Sequence, residues 1–154
     1  MTDPLMETWA NLARINIYVL RAMPPAGLQA LPSSKGRTVS EAFAHIHNVR
    51  LMWLKAAAPD LLSWLEKIEK GSDASRASLM SALEASGVAI GELIGRSLSS
   101  GGKIKGFKPH VQAFVGYLIS HESHHRGQIA LALKQSGVPL EKKVSFGMWE
   151  WGVR

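Results

Sequence analysis

Apolar positions recur at helical spacing over four long segments of the chain. In the first, from about Pro4 to Arg21, Leu5, Trp9, Leu12, Ile15, Val19 and Leu20 repeat every three to four residues. Met23 to Arg37 then breaks the period with Pro24, Pro25, Gly27, Pro32 and Gly36. Thr38 followed three residues later by Glu41 is a capping box, which predicts helix entry near Val39. Phe43, Ile46, Val49 and Trp53 carry that second helix to about Ala57, and Pro59 and Asp60 end it. A short helical piece is predicted over Leu61 to Lys70, with Gly71 as its stop. The third helix is predicted to start near Ser72 or Asp73 and to carry Leu79, Leu83, Val88, Ile90, Leu93, Ile94 and Leu98. Its interior Gly87 and Gly91 each cost about 1 kcal/mol relative to alanine and can allow close helix approach. Ser99 to Lys108 reads as a flexible basic loop. The fourth helix is predicted from near Pro109 to Gln135 or Ser136, with Gly137 as its stop.

No strand alternation or internal repeat competes with these helices. The expected fold is therefore all-α: one domain over residues 1–154, a four-helix bundle with a short extra helix after the second. Leu140 to Arg154 is expected to be irregular. Phe146, Met148, Trp149 and Trp151 are too apolar for a free tail, so it should pack on the bundle.

Composition narrows the function classes. There is no cysteine, which excludes disulfides, thiolate metal sites and a cysteine nucleophile from this chain. No apolar run is long enough for a transmembrane helix, and Met1 to Arg21 lacks the marks of a secretory signal, so a cytoplasmic location and no membrane partner are expected. The 18 Lys and Arg exceed the 12 Asp and Glu, giving a net charge of +6. The basic residues are dispersed without interleaved aromatics and no nucleic-acid-binding motif accompanies them, so no nucleic-acid partner is expected.

The histidines concentrate the chemistry. Five of six fall in two groups on predicted helices: His45 and His47, and His121, His124 and His125, with His110 apart. At about 100° per residue, His125 lies within the apolar face of the fourth helix, made by Val111, Phe114, Leu118, Ile129 and Ala132, and His121 lies at its edge. His124 points toward the polar side. Two inward imidazoles one turn apart can share one metal ion, whereas two core histidines would each need a buried partner. His121 to His125 also reads H-E-x-x-H, in which Glu122 would be the general base of a zinc peptidase. That reading lacks a downstream third histidine and a strand to align a peptide. The second helix offers His45 or His47 as a third ligand. They lie about 200° apart, so both cannot face one ion, and periodicity does not choose between them.

The stretch from Glu41 to Leu54, with His45, Ile46 and Trp53, resembles the second helix of DinB/YfiT-like proteins, and His121 to Ile129 resembles their last bundle helix, where a histidine pair precedes an Arg-Gly-Gln-Ile run. The resemblance implies that His45, His121 and His125 ligate a divalent metal, with His47 the alternative to His45. It leaves Glu122 as a group supporting the ligands, an acid–base group or a solvated side chain. Imidazole ligands suit zinc, nickel, iron or copper, with zinc and nickel foremost. The family implies a metal-dependent transferase or isomerase that uses a low-molecular-weight thiol on a small molecule, in a pocket that Trp53 and Trp149 or Trp151 could help to line. A non-catalytic metal-binding stress or interaction protein is the alternative. The resemblance also implies a homodimer.

Overall fold

The computed structural model describes all residues, 1–154. Four long helices carry it: α1 (Pro4–Ala22), α2 (Val39–Ala57), α3 (Arg76–Ser99) and α4 (Val111–Gln135), followed by a short α5 (Lys142–Gly147). Single 3-10 turns lie at Pro25–Gln29, Pro59–Leu62 and Trp151–Val153, and there are no strands.

Each long helix starts where a side chain can accept its free N–H groups. Asp3 caps α1 by accepting from Leu5 N at 2.8 Å. At α2 both halves of the capping box form: Glu41 N donates to Thr38 Oγ1 at 3.1 Å and Thr38 N donates to Glu41 Oε2 at 3.0 Å. Ser75 caps α3 by accepting from Ser78 N at 3.1 Å. At α4 the cap is His110, whose Nδ1 accepts from Ala113 N at 3.1 Å, so α4 starts at Val111 rather than at Pro109. Gly137, at φ 76°, ends α4 in the left-handed conformation that glycine adopts most readily.

α1 packs on α3 and α4, and α2 packs on α3 and α4. Length and mean hydropathy alone would let α3 cross a membrane, but its Leu79, Leu83, Ile90 and Ile94 are buried in the bundle. The apolar interior divides in two. One cluster gathers Val19, Leu20, Phe43, Ile46, Leu79, Leu83, Ile129 and Leu133. The other gathers Trp9, Leu12, Leu54, Ile90, Phe114 and Leu118. Along every long helix at least one polar residue is buried between these clusters: Asn16 on α1, Arg50 on α2, Ser86 on α3 and Glu122 on α4.

These residues form one network. Arg50 grips Glu122 bidentately, Nε to Oε1 at 2.7 Å and Nη2 to Oε2 at 2.9 Å. Arg50 Nη1 donates to Leu83 O at 2.9 Å and to Ser86 Oγ at 3.2 Å. Asn16 Nδ2 donates to Glu122 Oε2 at 2.6 Å, and Asn16 Oδ1 accepts from Arg126 Nη1 at 2.8 Å. The Arg50 guanidinium also lies over the Trp9 ring, 5.0 Å from its centre. Gly87 makes room for this: a Cβ there would sit 3.3 Å from Ala13 Cβ and 3.4 Å from Arg50 Nη1.

The connections depart from the sequence expectations in several places. Leu61 to Lys70 is not a helix; beyond the turn at Pro59–Leu62 it is irregular. Side chains of α2 hold three of its backbone groups, at Glu66 and Ile68. Asn48 exchanges two hydrogen bonds with Ile68, at 2.9 and 3.0 Å, and His47 Nε2 meets Glu66 O at 2.8 Å. α3 begins at Arg76, not near Ser72 or Asp73, because Asp73 sits at φ 53° outside the helix. The loop after α3 is a tied turn: Ile104 is buried, Ser97 Oγ donates to Lys103 O at 2.7 Å, and Val111 N donates to Gly102 O at 2.8 Å. The C-terminal stretch contains α5 and packs on the bundle through Val144, Met148 and Trp151, while Phe146 and Trp149 stay exposed.

The polar network sets a stability prediction. Arg50→Met leaves the Glu122 carboxylate buried without its cation and is expected to cost about 3–5 kcal/mol. Adding Glu122→Leu should recover much of that loss. Denaturant unfolding of the two single variants and the double variant checks this; a loss below about 1 kcal/mol for Arg50→Met would show that the pair holds nothing in place.

Candidate metal centre

The structure brings His45 of α2 together with His121 and His125 of α4. One ring nitrogen from each lies within 4.8 Å of the other two. His45 Nε2 and His121 Nε2 are 3.3 Å apart. Two ligands on one tetrahedral zinc, at about 2.0–2.1 Å from the ion, are separated by about 3.4 Å. That pair is therefore already at metal-ligand spacing. The rings meet edge to face, with His125 centred 4.6 Å from both His45 and His121.

His125 Nδ1 lies 2.9 Å from Gln128 Oε1. The amide oxygen accepts only from an N–H, so this contact puts the proton on Nδ1 and leaves the Nε2 lone pair free for an ion. His125 is buried, and His45 and His121 are half-buried. The ring of Tyr117 stacks on His121 at 6.2 Å, and Tyr117 belongs to an aromatic group with Trp53, Phe107 and Phe114.

Burial lowers the pKa of all three histidines. His45 falls from 6.5 to about 4, first through burial and then through the charges of Arg37, His125 and His121. His121 and His125 are lowered mainly by burial, with Arg37 contributing to each. All three imidazoles are thus held neutral, the form that binds a metal. Their donor set fits a divalent transition-metal ion, and no carboxylate joins it.

The remaining residues singled out in the sequence fall elsewhere. His47 is not part of the cluster: it is buried, and its Nε2 is occupied by Glu66 O. His124 is exposed, beside His125. Glu122 is neither a solvated side chain nor a free base. It is fully buried and both its oxygens are held by Arg50 and Asn16. A peptidase base must be free to take a proton from water, so the H-E-x-x-H string does not describe the chemistry of this site. Trp53 belongs to the aromatic group near His121, whereas Trp149 is exposed and Trp151 packs with the Trp9 and Phe114 cluster. Sequence reasoning missed Gln128, Arg37 and the buried Arg50. Gln128 was discoverable from its position three residues after His125, within reach on one helix face.

A pH prediction follows from the depressed histidines. In the unfolded chain each titrates near 6.5; in the folded chain each holds off its proton to lower pH. Protons therefore favour the unfolded state, and the metal-free protein should lose stability progressively as pH falls from about 6.5 toward about 4, the folded value for His45. Thermal unfolding of the metal-free protein at a series of pH values checks this; a melting temperature that is level or rising over that window would contradict it.

No curated protein sequence matches the chain. The family model described as DinB family matches residues 1–143, covering all four long helices and both halves of the histidine cluster. The chain belongs to the DinB family.

Proposed function

We propose that the protein binds one divalent metal ion through His45, His121 and His125, and uses it to act on a small molecule. The observation that carries this reading is the convergence of three neutral imidazoles from two helices on one point. Zinc and nickel are the first ions to try, and imidazole donors suit iron and copper as well. When bound, an ion with open positions lowers the pKa of a water or thiol and polarises a carbonyl.

The chain's own residues prepare the site for that chemistry. Burial keeps the three imidazoles unprotonated, Gln128 fixes the tautomer of His125, and Tyr117 supplies an aromatic wall beside His121. Membership of the DinB family favours a transferase or isomerase that takes a low-molecular-weight thiol as co-substrate. A non-catalytic metal-binding role is the second reading. It is favoured by the split of the donors between α2 and α4, because an ion there would staple the two helices together.

Titration of the metal-free protein with zinc and nickel, followed by metal analysis and thermal unfolding, tests the site. One ion per chain is expected, and at a hundredfold excess over Kd it should stabilise the fold by about 2.7 kcal/mol. His45→Ala, His121→Ala and His125→Ala should each weaken binding by more than 100-fold, since loss of a supporting hydrogen bond alone costs about 10–100-fold. Gln128→Ala should fall in that smaller range. His47→Ala should keep the ion, whatever it does to stability. A wild-type protein without metal affinity, or loss of metal in His47→Ala but not in His45→Ala, would refute the assignment. Turnover of an electrophile panel by the loaded protein, with and without a thiol, separates the enzymatic from the structural role.

A further inference from the structure

The bundle has four outer grooves, and the chain uses three of them. Between α2 and α4 lies the histidine cluster. Across α2 and α3 lies the stretch after α2, tied to α2 by Ser40, His47 and Asn48 and to α3 by the Asp60–Arg96 pair at 2.7 Å. Along α1, on the side of Asn11 and Tyr18, lies the C-terminal segment. Asn11 Nδ2 donates to Trp151 O at 3.0 Å, Tyr18 Oη donates to Lys143 O at 3.4 Å, and Arg154 covers the Tyr18 ring. Between α1 and α3 the groove is open, with a volume of about 1210 Å³. Val88 stands in it 75% exposed, in the middle of α3.

The two walls of this groove carry opposite charge. On α1, Ala10, Arg14, Ile17 and Arg21 fall within about 60° around the axis and line it. On α3, Glu84, Val88 and Glu92 follow one another at four-residue spacing. Glu7, near the start of α1, is the one acid on its wall, and no base lines the wall of α3. Glu92 pairs with Arg96 of its own helix at 3.0 Å, whereas Arg14, Arg21 and Glu84 have no ion-pair partner in the chain. The floor is closed, because Gly87, Gly91 and Gly95 bring α3 against Ala13, Trp9 and Met6 of α1. Those contacts set Arg14 level with Ser86, two residues from Glu84 and two from Val88.

We infer that a second copy of this chain docks on the α1/α3 face, with α1 of each copy lying on α3 of the other. A two-fold axis parallel to the helices does this and keeps every residue at its own level. Arg14 of one copy then meets Glu84 of the other, twice over, and Val88 is buried on Ala10 and Ala13 of the other copy. A two-fold axis perpendicular to the helices would instead set α1 on α1 and α3 on α3, bringing like charges together. A partner carrying a single sign of charge would satisfy one wall and oppose the other. The face is complementary to itself: an apolar centre edged by charges, whose signs fix register and orientation more than strength.

Analytical ultracentrifugation of the full chain over a range of concentrations tests this. The wild type is expected to sediment as a dimer. Val88→Arg should raise the dimer dissociation constant about 30-fold or more while helical content is retained. Arg14→Glu and Glu84→Arg each set two pairs of like charges against one another, and each should weaken association about tenfold or more. An equimolar mixture of these two variants should recover it, because in the mixed dimer both pairs are again opposite in sign. Damage to the fold of either variant would not be repaired by mixing. A wild type that stays monomeric at millimolar concentration, a dimer indifferent to Val88→Arg, or a mixture that associates no better than its components would overturn the inference. So would a monomeric wild type that takes up an apolar dye and loses it in Val88→Arg, which would give the groove to a small ligand instead.

Discussion

The buried Arg50–Glu122 ion pair is the constraint on which the arrangement depends. Withdrawing two charges from water costs several kcal/mol for each, and only good geometry with further hydrogen bonds offsets that cost. Here the geometry is bidentate, and the remaining donors of Arg50 reach Leu83 O and Ser86 Oγ while Asn16 donates to Glu122. Every long helix contributes a group. Apolar contacts alone would tolerate small rotations of one helix against another; hydrogen bonds of this kind do not. Glu122 follows His121 in the chain and precedes His125 by three residues, so fixing its direction fixes the roll of α4. Both histidines then face His45.

The same pair separates the charges of the core from the chemistry of the surface. The Glu122 carboxylate acts to raise the pKa of His121, but burial outweighs it and the charge of Arg50 opposes it. The histidines consequently sit beside an ion pair without gaining an anion of their own, and they stay neutral. In a peptidase the corresponding glutamate would be exposed to the water it activates. In this protein the residue is part of the interior, and the shared H-E-x-x-H spacing reflects only that residues one turn apart on a helix share a face.

Much of this was legible in the sequence. Helical spacing placed α1 and α4, the Thr38–Glu41 box placed the start of α2 to the residue, and the turn between His121 and His125 singled out the pair. The buried polar layer was legible in principle. On α2, Phe43, Ile46 and Leu54 lie within about 80° of one another around the axis, and Arg50 falls among them. On α1, Asn16 falls between Leu12 and Leu20 in the same way. A charged or amide side chain in the middle of an apolar stripe must find a buried partner. What periodicity could not supply was which partner, because that depends on how four helices are rolled together. The stretch after Pro59 departs from its helical pattern for a related reason: backbone groups at Glu66 and Ile68 are held by Asn48 and His47, which belong to a different element, so its own sequence carried no sign of that alternative.

His45 and His47 show how one local pattern serves two ends. They lie on opposite sides of α2, and Leu54, which is fully buried, falls about 20° from His47 around the axis. His47 is therefore turned into the protein, where its Nε2 holds the carbonyl of Glu66. His45 is turned toward α4 and remains half-exposed. The two are nevertheless connected through structure. The segment that His47 and Asn48 hold down lines, with His45, one polar cleft beside the start of α2. A change at His47 would act on the surroundings of the site, through the position of that segment, rather than on the donor set itself.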